Sequence, residues 1–271
     1  MKNLRSFFFR NYATFKLAIA SNLEYRFNYF VDAILQPTVS TLIELLLWTA
    51  VFRSLATNSL AGFSKEQYLA YALCAPFFAR IAMNWMYEFK MINDIETGSI
   101  NSILMRPTSF FEYYLSQLLG YKMITAFLSF LIPLFICWAF NLPLIFKNLP
   151  LALLMVFYYL ILIFTLSFTV STLAFFWNRV HSLTAVKNLS LWFLSGEIIP
   201  LDLMPEPWKG ILITLPFSSG AFLPVGFLTG RVGLPEMYQG FISISVALLF
   251  FGIISAWLWR MGLRKYSGTG A

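Results

Sequence analysis

The sequence predicts an all-α membrane protein: six transmembrane helices, an amphipathic interfacial helix ahead of them, and a re-entrant helical segment between the fifth and sixth. Three observations predict it. Of 271 residues, 59% are hydrophobic and only 11% charged, more apolar surface than a soluble fold of this length can bury. Six mostly apolar stretches reach the roughly 20 residues that a helix needs to cross the hydrocarbon layer; they run over 30–52, 67–89, 113–139, 150–176, 181–199 and 238–259. Lys and Arg, finally, are divided unevenly between the connections. The whole chain, 1–271, reads as one membrane domain, with an interfacial helix at 1–29, a bundle at 30–259 and a tail at 260–271.

In the leader, Phe8, Tyr12, Phe15, Ile19, Leu23 and Phe27 recur at three- and four-residue steps, while Arg10, Thr14, Ser21 and Glu24 fall on another face. That is the period of an amphipathic helix. Its basic flank and aromatic stripe suit the headgroup plane, and capping one end of the bundle fits the same pattern. Basic and aromatic residues run from Lys2 to Phe30 without a small-residue cleavage site behind a short apolar core, so the first span is expected to stay as an anchor.

Orientation follows from the basic residues. Lys2, Arg5, Arg10, Lys16 and Arg26 precede the first span; Lys90, Arg106 and Lys122 lie between the second and third; Arg179 and Lys187 between the fourth and fifth; Arg260, Arg264 and Lys265 in the tail. The other side holds only Arg53, Lys65, Lys147, Lys209 and Arg231. The bias puts both termini in the cytoplasm. Topology and anionic headgroups account for the net charge of +7, and nucleic acid is not needed as a partner.

Within the spans, Glu44 and Arg80 lie deep, where an ionised group is costly unless it is paired or faces water. Helix rise puts them about 8 Å apart in depth, a gap that long side chains close. They form an interhelical pair or one of them faces a pathway. Asp32, near the inner end of the first span, is expected to meet a basic neighbour. Cys74 and Cys137 read as small buried hydrophobes.

Two interruptions stand out. The polar stretch DIETGSINSILMRP, Asp94 to Pro107, separates the second and third runs; Gly98 permits a tight turn and Pro107 suits the start of the next helix. Between the last two spans, prolines at 200, 205, 207, 216 and 224 forbid an unbroken helix. The pieces Ile198 to Leu203 and Trp208 to Leu215 are nonetheless too apolar for an exposed loop, and short helices re-entering the outer membrane edge fit better.

No phosphate-cradling GxxxxGK[ST], HExxH, GxSxG or CxxC motif is present. The single His181 sits beside Arg179 at the headgroup level. Asp94 and Glu96, two residues apart on a helix, point in different directions and read as surface charges offered to a partner protein.

The stretch IETGSINSILMRPTSFFEYYLSQLLG resembles the loop between the second and third spans of ABC-2 type transporter permeases, through Ile95, Thr97, Gly98, Leu104, Arg106, Pro107 and Gly120. The outer region is similar to the same family at Ser195, Gly196, Pro200, Leu201, Pro205, Leu215, Pro216, Phe217, Pro224 and Gly230. With the six spans, the likeness covers nearly the whole chain. Glu96 stands where many relatives carry a basic residue and Asn101 where an acidic one is common.

The resemblance implies a permease subunit of the cytoplasmic membrane with no catalytic residue and no cofactor or metal of its own. It would export a substrate while two copies of a separate nucleotide-binding subunit hydrolyse ATP with magnesium, and it would form a homodimer or pair with a related permease. Asp94, Ile95, Glu96, Thr97, Gly98, Ser99, Ile100, Leu104, Arg106 and Pro107 would couple to that ATPase; Gly196, Pro200, Pro205, Pro216, Phe217 and Pro224 would form an outer gate. Two other classes stay open: a membrane enzyme acting on lipid headgroups through Asp94, Glu96 and His181, and a passive channel.

Overall fold

The computed structural model describes residues 2–24, 26–55 and 58–267. The side chains of Lys2, Arg5, Phe8, Leu23 and Arg26, and tail residues 268–271, lie outside that description. Helix α1 spans Lys2–Glu24 and α2 Arg26–Phe30. A π-turn at Val31–Leu35 then leads into α3, Gln36–Leu55. The wider turn directly precedes Pro37, whose ring would otherwise press on the carbonyl of Ala33.

A two-residue hairpin pairs β1, Ser59–Leu60, with β2, Phe63–Ser64. It delivers the chain to α4, Lys65–Ala82. A capping box opens this helix: the Gln67 amide N–H donates to Ser64 Oγ over 3.3 Å and the Ser64 N–H to Gln67 Oε1 over 2.9 Å. Helix α5, Trp85–Glu96, and the short α6, Asn101–Leu104, precede α7, Phe110–Ala139. The remaining helices are α8, Leu149–Thr172; α9, Val180–Leu194; α10, Trp208–Thr214; α11, Phe222–Leu228; and α12, Leu234–Lys265.

Helix α4 is the centre of the molecule. Its many alanines let α3, α7, α8 and α11 approach closely, and every residue from Ala70 to Ala82 is buried. Tyr87, Met91, Ile95, Ile100, Ile103, Phe110 and Tyr114 pack into a second buried cluster.

Among the described residues, four helical stretches are long and apolar enough to cross a membrane: Val31–Leu55, Phe110–Ala139, Phe146–Phe175 and Leu234–Lys265. These answer to the first, third, fourth and sixth runs. The second run is not one helix, because it stops at Ala82 and restarts at Trp85. Neither Pro nor Gly causes the break, and Pro76 and Pro133 lie inside unbroken helices. It falls where buried polar groups gather: Asn84 Oδ1 accepts from Ser167 Oγ at 2.8 Å, while the Asn84 carbonyl accepts the Tyr87 and Glu88 N–H groups that open α5. The fifth run gives a helix of only 15 residues, about 22 Å long, ended where Gly196 adopts φ +76°. The sixth extends past its expected end, so the tail from Arg260 begins as helix and leaves it only at Tyr266.

The leader helix docks on the bundle. At Gly120 of α7 a Cβ atom would stand 2.7 Å from the Phe15 carbonyl oxygen and 2.9 Å from Ala18 Cβ, and Ser116 donates to Asn11 at 3.1 Å. Phe15 and Ile19 are thus half-buried, while Tyr12 and Phe27 from the same expected stripe remain exposed.

Candidate functional site

The 94–107 stretch is a knuckle held from within. Helix α5 ends with the Thr97 N–H bonded to the Asn93 carbonyl at 2.9 Å, and Gly98 turns the chain at φ +78°, the left-handed conformation that suits glycine after a helix. The Ile100 N–H returns to the Asp94 carbonyl at 2.8 Å, and Thr97 Oγ1 bridges to the Asn93 carbonyl and Ser99 Oγ. Ile95, Ile100 and Ile103 are buried in the cluster below, whereas Thr97, Ser99, Ser102, Leu104, Met105, Arg106 and Pro107 are exposed, Met105 at 83%. Arg106 lies over the Tyr113 ring, 5.3 Å from its centroid. From the far end of the chain Tyr266 donates to the Gly98 carbonyl at 3.4 Å.

The acidic pair is not presented outward as a pair. Asp94 accepts the Tyr114 hydroxyl, and Glu96 faces His181 Nε2 at 3.4 Å, with the imidazole stacked on Phe89 at 5.1 Å. Asp94 is thus engaged by Tyr114 and Glu96 by His181. Pro107 does not start the following helix. Ser109 caps α7 instead, its Oγ accepting the Glu112 N–H at 3.1 Å while Glu112 accepts the Ser109 N–H at 3.4 Å.

Glu44 and Arg80 do not pair. Arg80 bonds Asp32, through its carboxylate and through its carbonyl at 3.1 Å, and Tyr121 donates to the same carboxylate. Depth explains the exchange: with α4 ending at Ala82, Arg80 lies in its last turn, level with the start of the first span. Glu44 is twelve residues farther along that span, about 18 Å of helix rise. Among the described residues, Glu44 Oε2 and Glu197 Oε2 are buried without a hydrogen-bond partner.

A buried polar chain runs beside the helix break. Lys187 of α9 pairs with Glu88 of α5 and donates to Ser167 Oγ at 2.8 Å, which donates on to Asn84. Lys187 is thus no headgroup residue, nor is Lys122, whose Nζ donates to the Arg80 carbonyl at 2.8 Å inside the bundle. Each falls inside an apolar run, 113–139 and 181–199, and counting it with the preceding connection put it at the surface.

In the outer region Gly196 has Phe222 Cβ and Leu201 Cγ where its own Cβ would lie, at 2.8 and 3.1 Å, and Tyr71 donates to the Gly196 carbonyl at 2.6 Å. Pro200 and Pro224 are buried, Pro216 and Phe217 half-buried, and Pro205 exposed. Pro216 opens a 3-10 turn and Pro224 sits in the first turn of α11, where a missing N–H costs little. One strong tie was not anticipated. Arg231 forks onto Asp202 with contacts of 2.6 to 3.0 Å, and its guanidinium lies 4.0 Å from the Tyr68 ring centroid, 4.7 Å from Phe63 and 5.1 Å from Tyr71.

No curated protein matches this sequence. A knuckle braced between α5 and α7, a Pro-broken outer segment and long apolar helices occur together in a chain whose residues 38–270 match the model of the ABC-2 family transporter proteins, and the chain belongs to that family.

Proposed function

We propose that this chain is the permease subunit of an ATP-driven exporter in the cytoplasmic membrane. It would cross the bilayer six times, with α4 and α5 together as a broken second span and α9 with the outer segment as the fifth, both termini cytoplasmic. Two copies of an ATPase subunit, binding ATP and magnesium, would engage a homodimer or a pair of related permeases. The observation that carries this reading is the knuckle: exposed Leu104, Met105 and Arg106 ride on Ile95, Ile100 and Ile103, which are rooted in the cluster shared by α5 and α7. A push on the exposed residues then reaches both helices as a rigid displacement, as exchange between two packed arrangements requires.

Within the coupling segment the work divides. Thr97, Ser99, Leu104, Arg106 and Pro107, with Met105, make the outward contact; Asp94, Ile95, Glu96, Gly98 and Ile100 hold its shape. The outer gate consists of Gly196, Pro200, Pro205, Pro216, Phe217 and Pro224, clamped by Asp202–Arg231. Because most of the coupling residues carry internal contacts, the test uses Leu104 and the neighbouring Met105, both exposed. Leu104→Asp and Met105→Asp should leave the purified chain folded while abolishing co-purification of the ATPase, its stimulation and transport. Undiminished binding and transport in both variants would refute the coupling assignment.

A further inference from the structure

A cavity of about 350 Å³ lies where the two moving parts of that reading meet. Its wall comes from the α4–α5 break at Asn84 and Trp85, from Tyr159 of α8, from Trp192 of α9, and from Glu197 and Gly220 of the outer segment. Its volume is at the small end of the range for ligand sites, and its make-up of apolar and aromatic surface with a few polar groups is what such sites have.

One acidic group on the wall lacks a partner. Glu197 on the wall has its Oε2 buried without a hydrogen-bond partner among the described residues. Arg80, the one cation on the wall among the described residues, attracts Glu197, but its side chain is committed to Asp32 and to Met83 Sδ. A carboxylate held away from water without a counter-charge is costly. The rings of Trp85, Tyr159 and Trp192 offer faces that attract positive charge. An apolar body would fill the cavity, and a positive charge would answer Glu197.

We infer that this cavity is the cargo site and takes a hydrophobic cation. The inference rests on the exporter reading and adds to it a substrate class and the residue, Glu197, that selects for charge. It also gives the cavity's location a purpose. A cargo held there touches α5, which leads to the knuckle, and the outer segment, which must open to release it.

Tetraphenylphosphonium and tetraphenylborate, ions of the same shape and opposite charge, test it directly. Binding of each to the full chain in nanodiscs is measured by equilibrium dialysis and by quenching of tryptophan fluorescence. The cation should bind at least tenfold tighter than the anion. Glu197→Gln, nearly isosteric, should remove most of that preference, and Ala185→Trp, which fills the cavity from α9, should weaken the cation at least tenfold. Equal affinities for the two ions, or cation binding untouched by both variants, would overturn the inference.

Stimulation of the ATPase subunit, measured without either ion, separates the two readings. If that stimulation depends on Met105 but the cation is not preferred, the cargo assignment fails and the exporter stands. If no ATPase ever associates, the exporter reading fails whatever the ions do.

Discussion

Replacing Lys187 with Met probes the seam beside the helix break. The Glu88 side chain is fully buried and Lys187, itself 10% exposed, is its only cationic partner among the described residues, where Glu88 Oε1 already lacks a hydrogen bond. Lys187→Met leaves a buried carboxylate uncompensated, a change that costs about 3–5 kcal/mol. For a chain of this size each kcal/mol moves the midpoint by roughly 2–4 °C, so the transition should fall by about 6–20 °C. Glu88→Gln should also destabilise, because it strands the ammonium. The pair Glu88→Gln with Lys187→Met should cost clearly less than the two single changes together, as residues in one network couple. Thermal unfolding in detergent, followed by size-exclusion chromatography, reads all three. Single variants within 2 °C of the parent, or strict additivity, would mean that the ion pair does not hold α5 against α9.

Two more outcomes follow from close contacts. Gly120→Leu should expel α1 from its seat on α7, since the added atoms would meet Phe15 and Ala18 backbone and side chain at under 3 Å; a cysteine pair at Asn11 and Ser116, which should cross-link readily in the parent, should no longer do so. Arg231→Met should destabilise the outer region by about 3–5 kcal/mol by stranding buried Asp202. Arg231→Lys should recover only part of this in the same thermal assay, because an ammonium cannot fork onto the carboxylate or stack on Tyr68 as a guanidinium does.

Much of the architecture is legible in local sequence. Continuous apolar runs are enough to find α3, α7, α8 and α12, and five prolines are enough to predict the fragments between Leu194 and Leu234. The Ser-x-x-Gln at 64 and Ser-x-x-Glu at 109 are capping patterns that, read closely, put the start of α7 at Phe110 rather than at Pro107. The knuckle was legible too, because Gly98 and a burst of polar residues interrupt greasy sequence.

The charge partners were not legible. Arg80 meets Asp32 across 48 positions and Lys187 meets Glu88 across 99; no spacing rule links residues on different helices. The helix break at Met83 and Asn84 left no local sign, since what accompanies it is a tertiary polar contact with Ser167. That unseen break moved Arg80 from mid-span to a helix end, and the expected partnership with Glu44 failed with it. Asp94 illustrates the same limit on a shorter scale: an acid in a polar loop looks free, yet Tyr114 of the next helix takes it.

The most direct measurement is the accessibility of a single cysteine at position 105, in place of the exposed Met105, with the ATPase subunit present and absent. In sealed vesicles of known orientation, a membrane-impermeant thiol reagent should react only from the cytoplasmic side, and bound ATPase should protect the site. Reaction from the exterior, or full reactivity in the assembled complex, would contradict the assignment of this knuckle as the place where the ATPase acts on the membrane bundle.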